Sequence, residues 1–236
     1  MPANRYVRAV GREMKYWATK AHYKYRHSFE IENYRSDIDP LSRASVDPTE
    51  IVQYTGRVGR DEVGQVKEDI GSVQSGDWDQ HSGRNIAPHL PEELTDFLFA
   101  EHIEDSGLYQ SLHNRFILGT DWKETQYYEV LETLIDSGYE WHGCTDRDEL
   151  EKRLAELDQI HQSIQADGYK TQRELRRFSN ILTELSREIV VDRGRNGDLL
   201  LVCGRHRLCM VRLLELNEIP VSVCVYHQQW ANQRHD

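Results

Sequence analysis

A chain of 236 residues, 38% hydrophobic and 29% charged, is long enough to bury a real core. Acids outnumber bases 40 to 29, for a net charge of −11, which argues against nucleic acid held across the whole body. No apolar run approaches the roughly 20 residues of a membrane span.

Cys144, Cys203, Cys209 and Cys224 show neither metal-ligand spacing nor the density of a disulfide scaffold. With no apolar signal-peptide core at the N-terminus, the reading is reduced thiols, as small core residues, in a cytoplasmic protein. Of the 29 bases, 22 are arginine, a composition similar to that of proteins adapted to high internal salt. The charge is uneven. Residues 1–27 hold seven bases and one acid, Glu13, a net +6 that leaves −17 on the remainder. Such asymmetry marks an interaction arm.

In chain order, Tyr6 to Tyr25 reads as a helix, with Val7, Val10, Met14, Trp17 and Ala18 at helical spacing. One reading is a basic, aromatic-rich surface for nucleic acid or an anionic membrane. The other is a helix that packs on its own acidic domain. Residues 1–42 are therefore an arm and linker, and 43–236 the domain. A turn and short strand follow within Ser45–Tyr54, then a glycine-rich loop over 57–75 with one brief strand at 71–74. Gly76-Asp77-Trp78-Asp79 sets two carboxylates around a tryptophan, suited to a divalent metal or a general base at Asp77 and Asp79. The alternative is an Asx-turn with Trp78 plugging the core edge.

Helices are expected at 92–103, 108–118 and 124–137. A fourth, capped by Thr145 and ended by Gly168, carries the stripe Leu150, Leu154, Leu157, Ile160 and Ile164. A further helix spans 171–186, with Arg173, Arg176 and Arg177 on its surface.

Strand, turn, strand, helix, strand then follow: Glu188–Asp192, Asp198–Cys203, a helix from His206, and Ile219–Tyr226. At the strand-to-helix junction stand Gly204, Arg205, His206 and Arg207. A glycine permits a tight turn, the amides opening a helix attract anions, and two arginines add forked donors. The junction suits a phosphate. A helix start whose arginines pair with local acids is the alternative.

Gly204-Arg205-His206-Arg207-Leu208, with its short apolar helix and Ile219-Pro220-Val221, resembles the ParB/sulfiredoxin superfamily, in the branch labelled ParB-like nuclease-domain proteins. The resemblance implies an α+β fold: a small mixed sheet with packed helices, here with a large helical insertion at about 88–144. It places Ser163-Ile164 and Gly168 on the helix before the motif strand. It implies a nucleotide triphosphate, CTP or ATP with Mg2+, whose phosphates meet Gly204, Arg205, His206 and Arg207. His206 would be a donor or proton-transfer group, and Asp77 and Asp79 would supply the metal ligand or base. The sulfiredoxin cysteine position is Arg205 here, so that activity is not expected. The partition proteins' helix-turn-helix is not expected either. The leading function is nucleotide binding with phosphoryl transfer or hydrolysis. The alternatives are a nuclease acting on DNA and a non-catalytic adaptor.

Overall fold

The structure is a computed structural model and describes residues 11, 13–22, 25, 39, 41–57, 63–81, 83, 91–175 and 180–233. Its strands are β1 (Arg43–Val46), β2 (Gln53–Tyr54), β3 (Ser72–Gln74), β4 (Ile189–Arg193), β5 (Leu199–Cys203) and β6 (Ile219–His227). Its helices are α1 (Val63–Asp69), α2 (Glu92–Leu98), α3 (Gly107–Phe116), α4 (Gln126–Asp136), α5 (Arg147–Asp167), α6 (Ile181–Ser186), α7 (Arg205–Leu213) and α8 (Gln228–Gln233). The arm forms a further helix over its described residues. The fold is α+β, and no described helix is long and apolar enough to cross a membrane.

One mixed sheet runs β1-β6-β4-β5-β2, with β3 also on β6. β6 pairs antiparallel with β1 and parallel with β3 and β4. β4 and β5 form an antiparallel hairpin, and β2 closes the far edge parallel to β5.

Strand side chains alternate between faces, and the core divides accordingly. Ile189, Val191, Leu199, Leu201, Ile219, Val221 and Val223 join α7 and helices α2–α5 on one face. Val190, Leu200, Val202 and Cys224 join α1, α6, Trp78 and Tyr16 on the other. Both faces being covered explains why these strands read as continuous apolar runs. The alternation slips in β6, where Val191 pairs with Val223 but Arg193 with Tyr226. The extra residue is a β-bulge.

At that bulge Asp192 is fully buried on the second face. Its carboxylate accepts from Arg57 Nε at 2.7 Å, Arg57 Nη2 at 3.0 Å, Thr55 Oγ1 at 2.6 Å and the Val225 amide at 3.1 Å. Arg57 Nη1 donates to Asp69 at 2.7 Å. Two ion pairs from one arginine thus tie the segment after β2, the end of α1, β4 and β6.

The expected strands and motif helix form, with Leu208 and Val211 fully buried and Leu213 and Leu214 half-buried. Other expectations need correction. The 57–75 loop contains α1, because Val66 and Ile70, four residues apart, both bury fully. The 92–103 helix ends at Leu98, and a separate 3-10 turn begins at Ile103. Asp146, not Thr145, caps α5 by accepting from the Glu149 amide, while Thr145 donates through its amide and hydroxyl to the Glu149 carboxylate. The 171–186 helix is instead a turn at 172–175 followed by α6, which Asn180 caps through the Leu182 and Thr183 amides. Arg176 and Arg177 lie outside the described residues.

Arg57→Met strands the Asp192 charge and should lower stability by about 3–5 kcal/mol, read by urea denaturation at pH 7. The double change with Asp192→Leu should recover much of that loss. A single variant as stable as the parent would show that the pair is not what holds the two loops on the sheet.

Candidate functional site

Gly204 turns the chain from β5 into α7 with φ 91°, a left-handed conformation that favours glycine. A Cβ there would stand 2.9 Å from the Ile189 Cα and 3.3 Å from Arg207 Nη2. The close approach that needs a glycine is therefore to β4 and to the motif's own arginine.

The three residues after Gly204 diverge. Arg205 turns toward the segments that follow α2 and α4, its guanidinium 4.7 Å from the Phe99 ring centre and 5.9 Å from that of Trp141. His206 is buried, with Nε2 2.8 Å from the Tyr127 hydroxyl. Burial, then the His142 ring and the Arg205, Arg153 and Arg207 guanidiniums, push its imidazole well below the ordinary value, so it is neutral at pH 7. His206 is a core residue of α7, stacked one turn from buried Met210, and not an exposed proton-transfer group. Arg207 turns the other way, into a cleft.

That cleft, about 530 Å³, lies between α5, the 168–172 segment, the end of α6 and the start of α7. Its charged lining is Arg153, Lys170, Arg187 and Arg207 against one carboxylate, Glu156. Arg153 donates to Glu156 at 2.8 Å and Lys170 to Asp167 at 2.6 Å. Arg187 is exposed and makes no ion pair among the described residues. Arg207 meets neutral acceptors: Nη2 donates to the Glu188 carbonyl at 2.8 Å and Nη1 to the Tyr169 hydroxyl at 3.1 Å. Tyr169 in turn donates to the Glu188 carboxylate at 3.1 Å, which also accepts from Arg43 Nε at 3.0 Å and the Gln172 amide at 2.9 Å. Burial raises the Tyr169 phenol and keeps its proton in place. Arg207 is fixed in direction while its positive charge forms no ion pair among the described residues.

Asp77 and Asp79 are elsewhere. Both carboxylates go to Arg195, in the turn that opens β5, through contacts of 2.8 Å to Asp77 and 2.7–3.1 Å to Asp79. The Arg195 amide adds a bond to Asp79 at 2.8 Å. Gly204 stands past the opposite end of β5, a five-residue strand of roughly 16 Å. The expected meeting of Asp77 and Asp79 with Arg207 is not formed. Nor does the pair fit a resident magnesium ion, since the Arg195 guanidinium takes both Asp79 oxygens and one of Asp77 and sets a positive charge where the metal would stand. Among the described residues no group of three or more His, Cys, Asp or Glu is arranged to hold a metal. Trp78 plugs the core edge against the His227 ring, but the Asx-turn of the alternative reading is not formed, since the Asp77 side chain caps no amide.

Cys144, Cys209 and Cys224 are buried, and burial pushes the half-buried Cys203 thiol up to about 11, consistent with core roles. The cleft residues that sequence reasoning missed are Arg153, Tyr169, Lys170 and Arg187. Arg153, Glu156 and Ser163 recur at helical spacing beside the apolar stripe of α5, a signal that was present. Nothing local marks Arg187. Compared with models of protein families, with curated proteins and with solved structures, the chain matches none.

Burial alone raises the Asp79 carboxyl, but the Arg195 side chain and amide, with His227, outweigh it and hold it below the usual carboxylate range. A depressed value contributes stability that is present above the ordinary value of about 3.9 and is lost as pH falls through the lowered one. Asp79→Asn should therefore be less stable at pH 7 and should lose less stability than the parent between pH 5 and acid. Urea melts at several pH values read this. Parallel pH curves would remove Arg195–Asp79 as a source of acid sensitivity.

Proposed function

We propose that the chain binds a nucleotide through its phosphates, in the cleft beside α7. The observation that carries this is Arg207: oriented by a carbonyl and a phenol, without a carboxylate partner among the described residues, at a helix start where a cation is locally unfavourable unless an anion joins it. Arg187, Arg153 and Lys170 give the same cleft a positive excess within a chain of net −11. Its size falls in the range of small-molecule sites, about 300–1,000 Å³.

The resemblance to the ParB/sulfiredoxin superfamily supports the reading at an independent point. Ser163, Ile164 and Gly168, singled out by that resemblance, line the same cleft as Arg207. The choice of CTP or ATP rests on the resemblance alone. The proposal is a binder. Phosphoryl transfer or hydrolysis would require a base, and His206 is spent on Tyr127 while Asp77 and Asp79 face Arg195. A nuclease reading would bring DNA to a body carrying −17 and is less well supported.

Thermal melting with CTP, ATP and inorganic tripolyphosphate, each with and without magnesium, tests this. A ligand at about 100 times its Kd adds about 2.7 kcal/mol of stability. Arg207→Ala should weaken binding by about 1.5–3 kcal/mol, as for a charged hydrogen bond. Because its partners are neutral, the free variant should lose only about 0.5–1.5 kcal/mol of stability, and not the larger loss of a broken buried ion pair. Arg187→Ala should weaken binding with no loss of stability, and Arg195→Ala should leave binding intact. No shift with any of the three compounds would end the proposal.

A further inference from the structure

The arm helix presents a surface that the cleft does not use. Among its described residues Tyr16 alone is buried, with the Arg173 guanidinium 3.9 Å from its ring centre. Glu13, the one acid of residues 1–27, accepts from Arg173 Nη2 at 3.2 Å. The arm therefore packs on the domain, but with the polarity opposite to the one expected. Its acid and an aromatic ring meet a base of the body, and its described bases, Lys15 and Lys20, form no ion pair with the described residues.

At about 100° per residue, Met14, Trp17, Ala18 and Ala21 fall in one stripe, with Tyr16 on the opposite side. All four are exposed, Met14 at 68% and Trp17 at 56%. Lys15 and Lys20 border the stripe on its two sides, and Lys20 Nζ lies 5.5 Å from the Trp17 ring centre. In the sequence Val7 and Val10, seven and four places before Met14, continue the spacing. An apolar stripe turned away from the protein, flanked by lysines and rich in a tryptophan, is the pattern of a helix lying in a lipid interface.

We propose that this face of the arm docks the protein on an anionic lipid surface. The stripe enters the headgroup boundary, the flanking bases of the +6 arm meet lipid phosphates, and the −17 body is held away from the membrane. Nucleic acid would call on the lysines but offers nothing to cover Met14, Ala18 and Ala21. The proposal rests on other residues than the nucleotide cleft and stands apart from it.

The test is sedimentation of the full chain with phosphatidylcholine vesicles, with and without phosphatidylglycerol. Binding is expected only to the anionic vesicles, with a blue shift of tryptophan emission. Met14→Ser/Trp17→Ser should bind at least about tenfold more weakly and abolish the shift, at unchanged melting temperature because both side chains are exposed. Lys15→Glu/Lys20→Glu should weaken binding by a similar factor. Equal binding to both vesicle types, or parental binding by the Met14/Trp17 variant, overturns the proposal. So does duplex DNA binding without vesicle binding, or a dimer in sedimentation velocity that the Met14/Trp17 variant dissociates while vesicles go unbound.

Discussion

The structure turns on the buried pair of Asp192 and Arg57. Asp192 sits inside the sheet with no exposure, and a carboxylate there is sustainable only while Arg57, Thr55 and the Val225 amide all reach it. The β6 bulge places the amide. The segment after β2 brings the guanidinium, and Asp69 at the end of α1 takes its remaining fork. Elements far apart in sequence are thereby fixed to one point, which a purely apolar contact would leave free to slide. The cleft depends on the same frame, since β4 carries Asp192 and is preceded directly by Glu188.

The C-terminal order of elements was legible because its apolar runs, turn glycines and helical stripe all agree. Where a strand is covered on both faces, composition alone announces it. α1 was not legible: Gly64 and a charged surround hide a short helix whose only apolar signal is Val63, Val66 and Ile70. The Gly204 junction was found, but not the directions of its side chains. Three adjacent residues on a helix start point about 100° apart, so Arg205, His206 and Arg207 could not all face one ligand. The spacing of His206 from Met210 already placed it with the core.

Asp77 and Asp79 illustrate a different limit. Paired carboxylates carry the same sequence signal whether they await a metal or an arginine. The deciding residue, Arg195, lies 116 positions from Asp79 and in a hairpin turn of no special motif. The strongest cleft feature was equally non-local. Arg207 shares its phenol with Glu188, and nothing in the spacing of residues 169, 188 and 207 announces that they meet.

That shared phenol has a consequence for the sheet. Tyr169 accepts from Arg207 and donates to Glu188, and Glu188 in turn holds Arg43 at the start of β1. The cleft and the outer strand of the sheet are thus wired in series through two side chains. Any anion that draws on the Arg207 fork weakens its hold on Tyr169, makes the phenol a poorer donor to Glu188, and so leaves more of the Glu188 charge to Arg43 on the edge strand.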